Sequence, residues 1–234
     1  MLENERQEKI LEYIVKNKSI TIKKLMGEFF VSEATARRDL KKLAENGMVK
    51  KVFGGATLIN KNYELIPYSM RETENRDEKD RLCKIAAEMV KDGDVIYLDG
   101  SSTTYHLLPY LLKFKDLKIV TNGLNVMQFL YERKISAYGV GGHIAAHAPI
   151  TAGYESIESV KKFNFDISFM SVSGLDEKGY FSGIYQDACE LQKAILKQTE
   201  TKVMIMSRNK INKRYPFVIC TRDEIDNLIT TDPV

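Results

Sequence analysis

The chain has 234 residues, 44% of them hydrophobic, which is long for one average domain and sufficient for two unequal ones with at least one sizeable core. The net charge of +3 is unevenly placed: residues 1–60 carry 12 Lys/Arg against 8 Asp/Glu, a net of +4, and the remainder carries 23 against 24, a net of −1. That asymmetry suits a small nucleic-acid-binding head on a near-neutral body, although a merely Lys-rich soluble domain has the same charge. Cys83, Cys189 and Cys220 are few and far apart, which argues against a disulfide framework and suits a reducing cytoplasm. With no secretory leader at Met1 and no apolar run of spanning length, a soluble cytoplasmic protein without a membrane partner is expected.

In the head, Ile10, Leu11, Tyr13 and Ile14 predict a helix over roughly Glu5–Lys16, with Asn17 as its stop. Ser19-Ile20 reads as extended, Thr21 as the cap of a second helix with Leu25, Met26 and Phe29 on its apolar stripe, and Phe30-Val31 as a tight turn. Ser32 is the next cap. Ala36, Leu40 and Leu43 fall at i, i+4 and i+7 of a third helix that Gly47 is placed to end. Two short helices joined by a turn describe a helix-turn-helix, and the extended runs Met48–Val52 and Ala56–Ile59 around Phe53-Gly54-Gly55 add a hairpin wing. Once Ala36, Leu40 and Leu43 face inward, Ala34, Thr35, Arg37, Arg38, Lys41 and Lys42 are left for the outer faces of helix three. Such a surface, opened by Ser32, suits a DNA major groove, with Lys50 and Lys51 of the wing on phosphate. A solvated Lys/Arg face is the bland alternative, but it does not account for turn, cap and wing together.

Arg6, Ile10, Ile14, Ser32, Thr35, Arg37, Arg38, Asp39 and Leu40, followed by Gly54-Gly55-Ala56, resemble the winged helix-turn-helix pattern of the DeoR family of bacterial transcriptional regulators. Asp39 is expected to pair with a nearby Arg, because a free carboxylate facing phosphate would repel it.

Residues 60–69, with Pro67, read as a linker, which divides the chain into a DNA-binding domain at 1–59 and an effector domain at 70–234. A long helix is expected over Met70–Val90, its charged first half RETENRDEKDR forming a solvated face. Beyond it, extended runs at Val95–Leu98, Lys118–Val120, Ile135–Val140, Ile167–Val172 and Val203–Met206 alternate with helices at Thr104–Leu112, Leu124–Tyr131 and Asp187–Lys197. That alternation predicts an α/β domain with a mostly parallel sheet.

Strand ends carry the sites of such sheets, and three stand out. Asp99 and Gly100 lead into Ser101, Ser102, Thr103 and Thr104, whose hydroxyls and helix-opening N–H groups suit a phosphate. Thr121-Asn122 and Gly141-Gly142 end the next two strands and would complete a pocket. The family resemblance implies the same: DeoR-type regulators carry a C-terminal domain similar to ribose-5-phosphate isomerase that senses a phosphorylated sugar. It also brings Glu190, Lys193 and Lys210 toward the pocket, while Ser101, Gln192 and Ser207 depart from the family's usual Gly, Lys and Asp. The expected protein is therefore a repressor of carbohydrate genes, at least dimeric on a two-fold operator, with no metal or cofactor. Two rivals remain. One is a sugar-phosphate isomerase with an appended head, using Asp99, Glu190 and Lys193; the other is a metal site at His106, His143 and His147.

Overall fold

The computed structural model describes residues 3–45, 49–58, 68–145 and 148–231. The chain divides into two units, residues 1–66 and 67–234.

The first unit opens with helix α1 (Glu3–Asn17), strand β1 (Ser19–Thr21) and helix α2 (Ile22–Phe29). Thr21 is extended, and its side chain accepts from the Lys24 N–H at 3.1 Å, satisfying a donor that the first turn of α2 leaves open. Phe30 adopts the left-handed conformation, φ 51°, which turns the chain sharply into α3 (Glu33–Glu45). Ser32 caps that helix by accepting from the Thr35 N–H at 3.3 Å. Ile10, Ile14, Leu25, Ala36, Leu40 and Leu43 are buried together, so the 3.6-residue apolar period of each helix becomes one core. Strands β2 (Val49–Val52) and β3 (Gly55–Leu58) form the wing around the two-residue turn Phe53-Gly54, with Gly54 at φ 78°. Gly55 belongs to β3 rather than to the turn: a Cβ there would lie 2.1 Å from the Ile20 carbonyl oxygen, so glycine lets β3 pair with β1. Gly47, Met48 and Ile59 lie outside the described residues.

The second unit begins with α4 (Tyr68–Thr73) and α5 (Arg76–Ala87). The single helix expected over 70–90 is thus broken, because Asn75 takes a left-handed conformation, φ 53°. Most of the expected linker, 60–67, lies outside the described residues. There follow β4 (Val95–Leu98), a short 3-10 turn at Thr104–Leu107 running into α6 (Leu108–Leu111), β5 (Lys118–Thr121), α7 (Leu124–Glu132) and β6 (Ala137–Gly139). A small hairpin of β7 (His143–Ile144) and β8 (Thr151–Ala152) precedes α8 (Tyr154–Val160) and β9 (Phe165–Met170). The chain ends with β10 (Gly174–Leu175), β11 (Tyr180–Gly183), α9 (Gln186–Lys197), β12 (Thr199–Ile205), β13 (Phe217–Thr221) and β14 (Asn227–Ile229).

Six strands make one fully parallel sheet in the order β14-β12-β9-β4-β5-β6. Its strands are apolar on both sides, as a sheet covered on both faces requires. Ile96 and Leu98 pack into one core with Leu82, Ala86, Leu107 and Val126, while Tyr97 packs into the other with Val160, Phe181 and Ile195. From β4 the chain moves outward to β5 and β6; from β9 it moves the opposite way to β12 and β14. The order therefore reverses between β4 and β9, and such a reversal leaves a crevice beyond the strands' carboxyl ends.

Candidate nucleic-acid interface and effector site

On α3, Ala34, Arg37, Arg38, Lys41 and Lys42 are exposed, Thr35 is half-buried and Ala36, Leu40 and Leu43 are buried, so the helix carries a cationic outer face over an apolar inner one. Lys50 and Lys51 on β2 are exposed too. Arg37 is held by Glu33 one turn earlier, with Nη2 to Oε1 at 2.6 Å, whereas no ion pair is seen for Arg38 among the described residues. Asp39 faces the opposite way. Fully buried, it accepts from Arg6 Nε at 2.6 Å, from Arg6 Nη2 at 3.1 Å and from Gln7 Nε2 at 3.2 Å. The Arg partner expected for Asp39 is thus Arg6, and the fork ties α1 to α3 and fixes the angle at which the cationic face is presented.

In the second unit, Asp99 follows β4 at the reversal point. One carboxylate oxygen, Oδ1, accepts from the Ser101 N–H at 3.0 Å and the Thr104 hydroxyl at 2.5 Å; Oδ2 accepts from the Ser171 N–H, just past β9, at 2.8 Å. Burial pushes the Asp99 carboxyl up in pKa, and these hydrogen bonds pull it back down. Asp99 therefore spans the crevice as a brace. The four hydroxyls of the loop do not converge as expected. Ser101 and Thr104 bond to each other at 2.9 Å and to the brace, which leaves Ser102 and Thr103 to face the cations. Because the loop opens a four-residue 3-10 turn and not a long helix, little macrodipole is available, and positive potential has to come from side chains.

It comes from Lys79 and Lys210. Lys79 Nζ donates to the Arg71 carbonyl oxygen and lies 3.5 Å from Ser102 Oγ; Lys210 Nζ donates to Ser171 Oγ at 2.7 Å and lies 3.5 Å from Thr103 Oγ1. Burial lowers the Lys79 pKa, and Lys210 is lowered to about 7, by burial first and then by the charge of Arg71. Arg71 and Lys79 correct the reading of RETENRDEKDR, residues 71–81, as a solvated charge run, since Lys79 is only 4% exposed. The sequence did carry the signal: Lys79 precedes Leu82, Cys83 and Ala86 by three, four and seven residues, which puts it on the buried stripe of α5.

The other expected site residues serve different ends. Asn122 Oδ1 accepts from the Tyr97 hydroxyl at 2.9 Å and the Gly100 N–H at 3.2 Å, its Nδ2 donates to the Thr151 carbonyl at 2.9 Å, and Thr121 Oγ1 accepts from the Gly123 N–H at 3.0 Å. This pair ties loops together. Gly141 and Gly142 are exposed past β6, where Ser156 Oγ donates to the Gly141 carbonyl at 2.5 Å. Glu190 and Lys193 pair with each other at 2.8 Å, and among the described residues neither bonds to the Asp99 loop. Glu190 instead lines a shallow groove with Tyr154, Ile157, Tyr185 and Phe217. Gln192 reaches beneath the site, donating to the Ser171 carbonyl at 3.0 Å. Of the histidines, His143 pairs with Asp187 at 3.2 Å, His106 lies in the 3-10 turn with a buried, unpartnered Nε2, and His147 is outside the described residues.

A winged helix-turn-helix joined to an α/β unit with cations gathered at a switch-point loop defines a transcriptional regulator with a sensing domain. The DeoR-like helix-turn-helix domain matches residues 6–62 and the DeoR C-terminal sensor domain residues 74–232, and the chain belongs to the DeoR family. It is 32% identical to the HTH-type transcriptional regulator GolR of Listeria innocua over 98% of this chain and 91% of that protein. It is 24% identical to the glycerol-3-phosphate regulon repressor of Escherichia coli over 100% of this chain and 92% of the relative. Among solved structures, a D-ribose-5-phosphate isomerase in complex with phospho-erythronic acid aligns at TM-score 0.44 and 17% identity, covering 58% of this chain and 54% of that one. The family places the chain among regulators rather than enzymes. No helix among the described residues is long and apolar enough to cross a membrane.

Proposed function

We propose that this protein is a repressor of carbohydrate genes whose α3 face and wing hold operator DNA, and whose grip is changed by a phosphorylated sugar bound at Ser102 and Thr103. The observation that carries the effector half is the gathering of Lys79 and Lys210 on those two hydroxyls at the switch point, a donor set suited to a phosphate. One relative is named for a glycerol-3-phosphate regulon, and glycerol 3-phosphate is a phosphomonoester, the chemical class such a donor set suits. Division of the chain into an operator-binding domain at 1–59, a linker at 60–69 and a sensor at 70–234 follows from the same reading, as does a homodimer or larger assembly, since a two-fold operator needs two heads.

The DNA half is tested at Arg38. With no ion pair to break, Arg38 is ready for a base edge or a phosphate, so Arg38→Ala is expected to weaken operator binding by about 1 to 3 kcal/mol if the contact is bidentate. Arg37→Ala is expected to cost less, because Arg37 must first exchange Glu33 for DNA. Operator titrations at fixed moderate salt decide it, and unchanged affinity in both variants removes α3 as the reading surface.

A further inference from the structure

Arg71 stands on α4, the first described element after the segment joining the two units. Its guanidinium carbon lies 5.4 Å from the centroid of the Tyr68 ring, and the Tyr68 hydroxyl is in turn bonded by Asn125 Nδ2 at the start of α7. The Arg71 carbonyl oxygen takes the Lys79 ammonium, while its Nε is buried with no hydrogen-bond partner among the described residues. Buried donors without partners are rare in folded proteins, and a guanidinium offers five donors in a planar fork that matches a tetrahedral oxyanion.

The electrostatics point the same way. Burial lowers the proton affinity of Arg71, and its charge in turn helps to lower both Lys79 and Lys210, so three cations share one space. Glu74 and Asp99, with Glu72 and Glu78 on the Lys79 side, offset part of this repulsion, but every hydrogen bond that Lys79 and Lys210 make among the described residues goes to a neutral oxygen. The arrangement is short of negative charge where Ser102 and Thr103 present their hydroxyls.

We propose that Arg71 closes this site: its guanidinium takes a bound phosphate-type dianion from the side opposite the Ser102-Thr103 loop, and that contact fixes α4. The inference rests on the effector reading above and adds the route by which occupancy leaves the sensor. An oxyanion held between the loop and Arg71 ties α4 to the sheet, and α4 continues directly into the segment leading to the DNA-binding unit. An effector shifts a conformational equilibrium only through contacts that differ between the states, and Arg71 supplies such a contact on an element outside the sheet.

The experiment uses the full chain with inorganic phosphate as the probe, reading the rise in melting temperature and the hydrogen exchange of residues 68–73. In the wild type, phosphate should raise the melting temperature and slow exchange in that segment. Arg71→Gln should weaken phosphate binding by about tenfold or more and abolish the protection, with Arg71→Lys recovering part of the binding. The double variant Ser102→Ala/Thr103→Ala should lose binding as well. Wild-type phosphate binding in Arg71→Gln together with loss in the double variant overturns the role of Arg71 and leaves the loop site standing; unchanged binding in both overturns the loop site too. Weakened binding in Arg71→Gln without phosphate protection of 68–73 in the wild type overturns the coupling through α4. A destabilised Arg71→Gln is recognised from its melting temperature without phosphate, and Arg71→Lys then decides the case.

Discussion

Lys210 makes both the stability of the sensor and its grip on an anion depend on pH. Its pKa is about 7 in the fold against an ordinary 10.5, through burial and the nearby charge of Arg71, with Lys79 and Asp99 also acting on it. Below about pH 7 the folded and unfolded chains both hold the proton, and the cost of burying the ammonium is fully present. Between about 7 and 10.5 the unfolded chain binds more protons at Lys210, so this residue's contribution to the stability of the empty sensor rises with pH across that window, opposed from about pH 9 by the Cys83, Cys189 and Cys220 thiols, which burial holds protonated in the fold. Anion binding runs the other way, because a phosphate favours protonated Lys210. Since a phosphomonoester becomes a dianion only above about pH 6, affinity should peak between about pH 6 and 7 and fall on the alkaline side, and Lys210→Arg should flatten that fall. Calorimetric titrations over this range with a phosphorylated sugar that stabilises the wild type check it, and affinity still climbing above pH 7 counts against Lys210 as a ligand. Asp39 makes a separate prediction. Its truncation leaves the Arg6 guanidinium buried without its carboxylate, so Asp39→Ala should cost the head about 3 to 5 kcal/mol. The exposed Glu33→Ala should cost under about 1 kcal/mol. Thermal unfolding of the two variants gives the comparison.

At the scale of elements, the site depends on two loops meeting back to back. A Cβ on Gly100 would fall 2.4 Å from Ile150 Cγ2 and 2.7 Å from Gly123 Cα, so only glycine lets the Asp99 loop come close enough for its Gly100 N–H to reach Asn122. Gly100→Ala should cost about 1 to 3 kcal/mol through overpacking and remove ligand stabilisation by displacing Ser102 and Thr103. The measurement is the ligand-induced shift in melting temperature set against the melting temperature without ligand; an intact shift would mean that the loop forms without that contact. The same loops show how far the sequence could be read. Strands β4, β5 and β9 and helices α7 and α9 were legible because apolar runs and their period are local signals, and Asp39 was legible because a carboxylate beside DNA needs a cation. The helix break was not, since nothing in RETENRDEKDR separates Asn75 from its polar neighbours until its backbone turns left-handed. Arg71 was hidden because six residues of α4 are too few to show a period, and Lys79 because dense charge masks one position that continues an apolar stripe. The β10-β11-β13 sheet escaped notice because its short strands are set by pairing across distant sequence rather than by local pattern.

For the whole molecule, the reading predicts a separable lesion. Ser102→Ala/Thr103→Ala removes hydrogen bonds worth about 1.5 to 3 kcal/mol each when charge-assisted, while the head keeps a core of its own. Operator affinity should survive, and far more effector should be needed to change it. Operator titrations of the double variant with and without a phosphorylated sugar that stabilises the wild type test this, and a wild-type response would place the effector elsewhere. The crevice between β4 and β9 has one more consequence, which concerns synthesis. Its cations come from distant parts of the chain, Lys79 before β4 and Lys210 after β12, whereas β3, the last strand of the head, ends at Leu58. Roughly 150 residues separate the last strand of the head from Lys210, which a ribosome adds in about 8 to 30 s. The part that grips the operator can thus emerge and fold well before the part that hears the metabolite is finished, and a nascent chain stalled in that interval would be deaf to effector.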